Sequence, residues 1–294
     1  MATREEAAYF AALEAAFNFR PKPLRELIAR EPDIAKAVAL IEKEEPRLRS
    51  ELEIACETAF GLMSEWSRDI AIIRKNEVAY PPGLTVMSSS PEFLFVRGDA
   101  SLLSRPGLSL VGSRGATEPG CQRAEKLARL ALENGFTVVS GLARGIDTAA
   151  HLGALKAGGK TIAVIGTPIH KFYPKENRKL QERIGEEGAV ISQFGPLRPT
   201  QRLNFPQRNE VMSALTRATV IVEAGETSGA LIQARHALRQ GRPLFILQNQ
   251  IERCDLEWPR DFLKKGALAL DDFSLLLDEL KKTAPVQRRF PDLD

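Results

Sequence analysis

From residue 108 onward the chain alternates short, near-continuous apolar runs with stretches whose apolar positions recur every three to four residues. The runs, at 108–111, 137–140, 161–165, 189–192, 219–223 and 243–247, are rich in Val, Ile and Leu and predict strands. The stretches between them, at 118–134, 147–157, 176–187, 207–216 and 229–240, predict helices. Strand–helix repetition on this scale predicts a parallel sheet joined by right-handed crossovers. Strands that lack polar alternation predict helices covering both faces. The expected fold class is therefore α/β, an extended Rossmann-like, doubly wound, mostly parallel sheet with a small N-terminal helical domain.

Ahead of this core the pattern changes. Ala7, Ala8, Phe10, Ala11, Leu13, Ala16 and Phe17 keep helical spacing, as do residues 34–41 and then Leu52, Ala55, Ala59 and Leu62. Pro21, Pro23, Pro32 and Pro46 punctuate these stretches. A passage rich in proline and serine follows, Tyr80-Pro-Pro-Gly and Ser88-Ser-Ser-Pro, before a short strand at Phe93-Leu-Phe-Val-Arg-Gly. The expected division is a helical domain over 1–70, a linker with the first extended segment over 71–108, the Rossmann-like core over 109–272, and a C-terminal helix with a polar tail over 273–294. The helical module reads as a packing or partner surface.

Composition narrows the function. Of 294 residues, 44% are hydrophobic and 27% charged, as in ordinary globular proteins. No apolar run approaches the ~20 residues that span a bilayer, and the start, Met1-Ala-Thr-Arg-Glu-Glu, has no apolar signal core. A cytoplasmic protein with no membrane partner is expected. Cys56, Cys121 and Cys254 are odd in number and far apart, which suits neither a disulfide framework nor a zinc site. His151, His170 and His236 are equally scattered, so no metal and no cofactor is expected. A net charge of +3 is too mild to decide anything, and the argument passes to where the arginines sit.

Five loops leaving the predicted strands are rich in glycine and polar residues, at the strand ends where open parallel sheets bind ligands. In the first, Gly112-Ser113-Arg114-Gly115, Gly112 lets backbone approach a ligand and the following helix start offers N–H groups to phosphate. Arg114 adds a planar fork suited to phosphate oxygens. The second, Ser140-Gly141-Leu-Ala-Arg144-Gly145-Ile-Asp147, repeats the design; Asp147 reads as a helix cap and His151 as packing. In the third, Lys171, Phe172, Tyr173 and Lys175 set cations around two aromatics, which suits stacked bases and paired phosphates or else an inward-packed lid. The fourth carries Arg198, Arg202, Asn204, Phe205, Arg208 and Asn209 into a helix start. The fifth, Glu223-Ala-Gly-Glu-Thr-Ser228-Gly229, is a further anion cradle, with Glu223 either a buried acceptor for the facing loops or a general base. No nucleophile–base–orienter set emerges by spacing, and the residues describe a binding protein rather than an enzyme, with a nucleic-acid strand as the partner these loops suit.

The same residues resemble the DNA-processing protein A family (DprA/Smf). The resemblance runs from about Tyr80 to Ala269 and rests on Tyr80-Pro-Pro, Phe95-Val-Arg-Gly-Asp99, Val111-Gly-Ser-Arg114, Val139-Ser-Gly-Leu-Ala-Arg-Gly-Ile-Asp147 with Ala150-His151, Tyr173-Pro-Lys-Glu-Asn177, Asn204-Phe-Pro-Gln-Arg-Asn209, and Val222-Glu-Ala with Ser228-Gly229. It implies single-stranded DNA binding and protection, loading of a RecA-type recombinase, homodimers, and a role in recombination or natural transformation. By motif position it implies Arg114 and Lys171 as principal DNA-contacting cations, with Arg144, Asn204, Phe205, Arg208 and Asn209 in the same groove. The chain departs from the family at Gly166-Thr-Pro168-Ile, where the family usually shows Gly-Thr-Gly-(Leu/Ile) and proline removes an N–H donor. It also departs at Leu247-Gln-Asn-Gln250, and it leaves no room for the C-terminal winged helix of many members.

The competing class is a nucleotide sensor or nucleotide-processing enzyme on a related fold. A phosphoribohydrolase would want a Pro-Gly-Gly-x-Gly-Thr loop where this chain has Ala224-Gly-Glu-Thr-Ser-Gly229. The Gly-x-Gly-x-x-Gly of dinucleotide enzymes and the Gly-x-x-x-x-Gly-Lys-(Ser/Thr) of P-loop enzymes are both absent.

Overall fold

The computed structural model describes residues 2–66, 69–85 and 87–282. It opens on four helices, α1 (Arg4–Ala16), α2 (Pro21–Arg30), α3 (Ile34–Glu44) and α4 (Arg49–Ser64). Thr3 starts α1 with a reciprocal box: its hydroxyl accepts the Glu6 N–H at 3.0 Å, and the Glu6 carboxylate accepts the Thr3 N–H at 3.0 Å. The sequence pattern did not predict α2, because Pro21 and Pro23 read as breaks. Proline in a helix's first turn sacrifices no hydrogen bond, since those N–H groups have no intrahelical acceptor.

Strand β1 (Ile70–Arg74) pairs antiparallel with β2 (Phe93–Gly98), with the short helix α5 (Pro82–Thr85) between them. The core then runs β3 (Gly107–Gly112), α6 (Glu118–Glu133), β4 (Thr137–Ser140), α7 (Ile146–Lys156), β5 (Thr161–Val164), α8 (Arg178–Glu187), β6 (Ala189–Ser192) and α9 (Asn204–Leu215). It continues β7 (Ala218–Glu223), α10 (Ala230–Arg239), β8 (Leu244–Leu247), α11 (Gln248–Ile251), α12 (Trp258–Lys264), β9 (Leu268–Leu270) and α13 (Phe273–Lys282). All six predicted strands of the core appear as β3 to β8. The helix predicted from 207 begins at Asn204, and the one predicted from 176 begins at Arg178 after a 3-10 turn. The polar tail expected beyond residue 282 lies outside the described residues.

Among the described residues the strands form one sheet in the order β1-β2-β6-β5-β4-β3-β7-β8-β9. From β6 to β9 every neighbour pairs in parallel, while β1 and β2 add an antiparallel edge. The chain winds from β3 out to β6, then returns to β7 on the other side of β3, so β3/β7 is the switch point. Strands β4 and β5 are buried along their whole length, as their unbroken apolar character requires.

Helices α1 to α4 bury Ala11, Leu13, Ile34 and Leu52 in the same cluster as Ile72, Phe93, Phe95 and Val190 of the sheet. Phe10 packs on Phe93 with ring centres 5.1 Å apart, and Trp66 meets Phe95 edge-on at 5.6 Å. No helix among the described residues is long and apolar enough to cross a membrane.

Candidate nucleic-acid interface

The crevice at the switch point is already filled from within. Glu223 ends β7 almost fully buried, and its carboxylate accepts the Thr117 N–H at 2.8 Å and the Thr117 hydroxyl at 2.6 Å. Thr117 caps α6, its oxygen accepting the Gly120 N–H at 3.1 Å, and Arg123 stands 3.6 Å from the same carboxylate. An anion therefore sits where the helix dipole would draw a phosphate. This corrects the expectation that the α6 start is a free cradle, and it shows Glu223 as a buried acceptor for the facing loop. The Ser113 N–H donates to the Glu223 carbonyl at 2.7 Å, and the Ser113 hydroxyl oxygen accepts the Gly115 N–H at 3.2 Å. Gly112 has to be glycine: a Cβ there would lie 2.5 Å from the Glu223 carbonyl oxygen.

A second buried group braces the neighbouring strand ends. Arg208, on α9, is 5% exposed, and its guanidinium donates to the carbonyls of Gly141 and Val164, just past β4 and at the end of β5. Its Nε donates to the Asn209 amide oxygen at 3.0 Å. Burial pushes the Arg208 pKa down to about 10, opposed by the charge of Asp147, so the group stays cationic at neutral pH. Burial raises the Asp147 carboxyl, opposed in turn by Arg208. Asp147 is not the helix cap that the sequence suggested; α7 begins at Ile146, and the carboxylate accepts the Ala143 N–H at 3.3 Å from inside the first turn. Gly141 makes room for Arg208, because a Cβ would come within 2.6 Å of the guanidinium.

The other polar residues singled out around α9 are similarly committed. Asn204 is buried and donates to the Pro199 carbonyl at 3.0 Å, and Asn209 reaches the Gly229 carbonyl at 3.4 Å. Asn204 thus holds a loop from within instead of facing outward, while half-buried Asn209 makes its loop contact near the surface. The Ser228 hydroxyl oxygen accepts the Ala230 N–H at 3.3 Å, and the Ser228–Gly229 turn does not line the cleft described below. His151 packs as expected, with Nδ1 2.8 Å from the Thr161 hydroxyl and a pKa that burial drives down to about 3, so the ring is neutral.

Over this brace lies a small open cleft lined by Arg114, Gly141, Ala143, Arg144, Gly166, Tyr173, Pro174, Phe205 and Arg208. Arg114 is exposed, with its guanidinium carbon 5.8 Å from the centre of the Phe205 ring. Tyr173 is 45% exposed and its ring stands 5.2 Å from Phe205, tilted by 47°. One cation and two aromatic rings thus share one opening, a combination that can pair a phosphate and stack a base. Arg144 is exposed beside Glu176 at 3.6 Å. Among the described residues no carboxylate stands within ion-pair distance of Arg114, Lys171 or Lys175.

The third loop is divided. Tyr173 faces the cleft, whereas Phe172 lies under the Arg178 guanidinium at 4.7 Å and lines no part of it. Lys171 and Lys175 stand outside the lining, half-exposed and exposed. Pro168 begins a turn whose carbonyl accepts the Lys171 N–H at 2.9 Å. Buried Asn177 ties this loop to the second one, donating to the Leu142 carbonyl and the Thr148 hydroxyl, both at 2.9 Å. Of the two aromatics that the sequence offered for stacking or for an inward-packed lid, it is Tyr173 that lines the cleft, and Gly166 joins the lining without having been singled out for contact.

The sequence profile of the DNA recombination-mediator protein A family matches residues 71–281. DNA processing protein DprA of Streptococcus pneumoniae is 43% identical over 172 residues, 58% of this chain and 61% of that protein. Protein Smf of Synechocystis is 40% identical over 68% of this chain and 52% of its own length, so the chain spans about half to three fifths of these two curated relatives. Among solved structures, DNA processing protein A from Streptococcus pneumoniae superposes with a TM-score of 0.70 at 31% identity, covering 94% of this chain and 93% of the other. DNA processing protein A from Helicobacter pylori, studied for its single-stranded DNA binding mode, gives 0.63 at 27% identity, covering 72% and 96%.

Proposed function

The chain belongs to the DNA recombination-mediator protein A family, and on that premise we propose that it binds single-stranded DNA across the cleft at the ends of β3, β4 and β5, in DNA processing linked to recombination or natural transformation. The observation that carries this reading is the juxtaposition of Arg114, Phe205 and Tyr173 in one opening while Glu223 occupies the helix start next door. A nucleotide-binding Rossmann site needs that helix start for its pyrophosphate. A single strand needs exposed cations and ring faces, which this opening supplies. The single-stranded DNA described for the Helicobacter pylori protein supports the same partner.

Within this reading Arg114 pairs a phosphate, Tyr173 and Phe205 offer stacking faces, and Arg144, Lys171 and Lys175 extend the positive track. Gly112, Ser113, Gly141, Asn204, Arg208 and Asn209 hold the loops in register behind it. The reading is of a binding site, and a turnover assay with nucleotides that released base or phosphate would overturn it. Homodimers and the loading of a RecA-type recombinase complete the proposal, and both rest on family likeness. The test is fluorescence anisotropy of a labelled oligonucleotide as single strand, as duplex and as RNA. Salt-sensitive binding with preference for the DNA single strand supports the proposal. Failure to bind any of them at low salt, with thermal stabilisation by free nucleotides, replaces it with the nucleotide-sensor class.

A further inference from the structure

A cavity much larger than the DNA cleft opens elsewhere in the molecule. It lies between helices α1 and α2, the turn after β1, and the loop after β6, with a volume of about 880 Å3. That is the size of a small-molecule site. Its walls include Phe10, Phe19, Leu24, Ile28 and Phe194, with the carboxylate of Glu14 set among them.

Most of the charges around this cavity have partners. Arg74 holds both Glu92, at 2.9 Å, and Glu6, at 3.3 Å. Glu210 accepts the Ser89 hydroxyl at 2.8 Å, and Arg25 donates to the Ser88 carbonyl at 3.0 Å. Glu14 differs. Its nearest cation, Arg198, stands 4.0 Å away and is engaged elsewhere, donating to the Phe19 carbonyl at 3.0 Å and lying over the Phe19 and Phe194 rings. No described residue donates a hydrogen bond to the Glu14 carboxylate. Burial accordingly pushes its pKa up to about 7. The Glu14 side chain is 16% exposed and its one ion pair, to Arg198, is long, so a donor arriving from the cavity would complete a mostly desolvated carboxylate.

We propose that this cavity is a binding site for a small organic cation, an amine or amidine carried on a flat apolar body, with Glu14 as its counter-ion. The apolar body would lie against Phe10, Leu24 and Ile28, and the cationic head would supply the donors that Glu14 lacks. Aromatic walls favour a cation further. Gln207 and Glu210 on the reverse side of α9 also line the cavity, so the occupant sits behind the helix that carries Phe205 and Arg208. The site neither depends on DNA binding nor belongs to it.

The experiment uses benzamidine as probe, with benzamide as its neutral isostere and benzoate as its anionic one, read by calorimetry and by protein NMR shifts on the full chain. For a ligand of this size a Kd of about 1 mM is expected. Benzamide and benzoate should bind at least about tenfold more weakly, since the first brings no positive charge to Glu14 and the second brings a like charge. Glu14→Gln should lose benzamidine binding by a similar factor while keeping its folded spectrum and its single-strand affinity. Ile28→Trp, which fills the cavity, should block the probe independently. Equal binding of benzamidine and benzamide, unchanged benzamidine binding by Glu14→Gln, or no saturable binding of the probe would each overturn the proposal.

Discussion

Arg208→Ala separates a brace from a contact. In the structure the guanidinium is buried and serves two carbonyls at the ends of adjacent strands, Gly141 and Val164, and it is the main countercharge to buried Asp147. Truncation leaves two buried acceptors without donors, at about 1–3 kcal/mol each, and an uncompensated acid. A loss of about 4 kcal/mol is expected, less whatever water recovers by entering the space. In a chain of this size that corresponds to a fall in Tm of about 10 °C. The assay is urea unfolding followed by circular dichroism, in which the midpoint should drop with the slope retained. Arg208→Lys should recover part of the stability, because an ammonium restores the charge but cannot serve both carbonyls in one plane. A variant with parental stability and weakened DNA binding would refute the reasoning and return Arg208 to the DNA-facing surface.

Other consequences are equally open to measurement. Arg114→Ala should weaken single-strand binding similarly across sequences and reduce the slope of log K against log salt by about 0.7, the share of one phosphate on a single strand; anisotropy titrations at several salt concentrations read both. Glu14 gives a pH signature in stability. Its folded pKa, about 7, lies above the ordinary 4.5, so the folded state holds the proton more tightly and is favoured by this group at low pH. That contribution should disappear between pH 4.5 and pH 7, a loss on the order of 3 kcal/mol, and Glu14→Gln should flatten this part of the stability profile.

How much of this was legible in the sequence depends on how local each cause is. Strands β3 to β8 were readable because burial on both faces demands unbroken apolar runs, and no other element of that length does. Strand β1 is short and sits at the sheet edge, and α2 hides behind prolines that are harmless where they stand. At the site, Arg114 and Arg208 look alike in sequence, since both follow polar loops near a helix start. What divides them is tertiary: one is exposed beside the Phe205 ring, and the other finds two strand-end carbonyls more than 40 residues away. The filled helix start was equally hidden, because Glu223 and Thr117 are 106 positions apart. The acid at the end of β7 nevertheless announced itself, as a lone carboxylate closing an apolar strand has to find donors.

The central claim is that DNA lies over Tyr173 and Phe205 and not at the β3/β7 crevice. Photocrosslinking of a single strand carrying 5-bromodeoxyuridine, followed by peptide mapping, tests this most directly. Crosslinks on Tyr173, on Phe205 or on both are predicted, and they should disappear with an excess of unlabelled single strand. Crosslinks confined to the loop after β7 around Gly225–Gly229, with none on either ring, would contradict it.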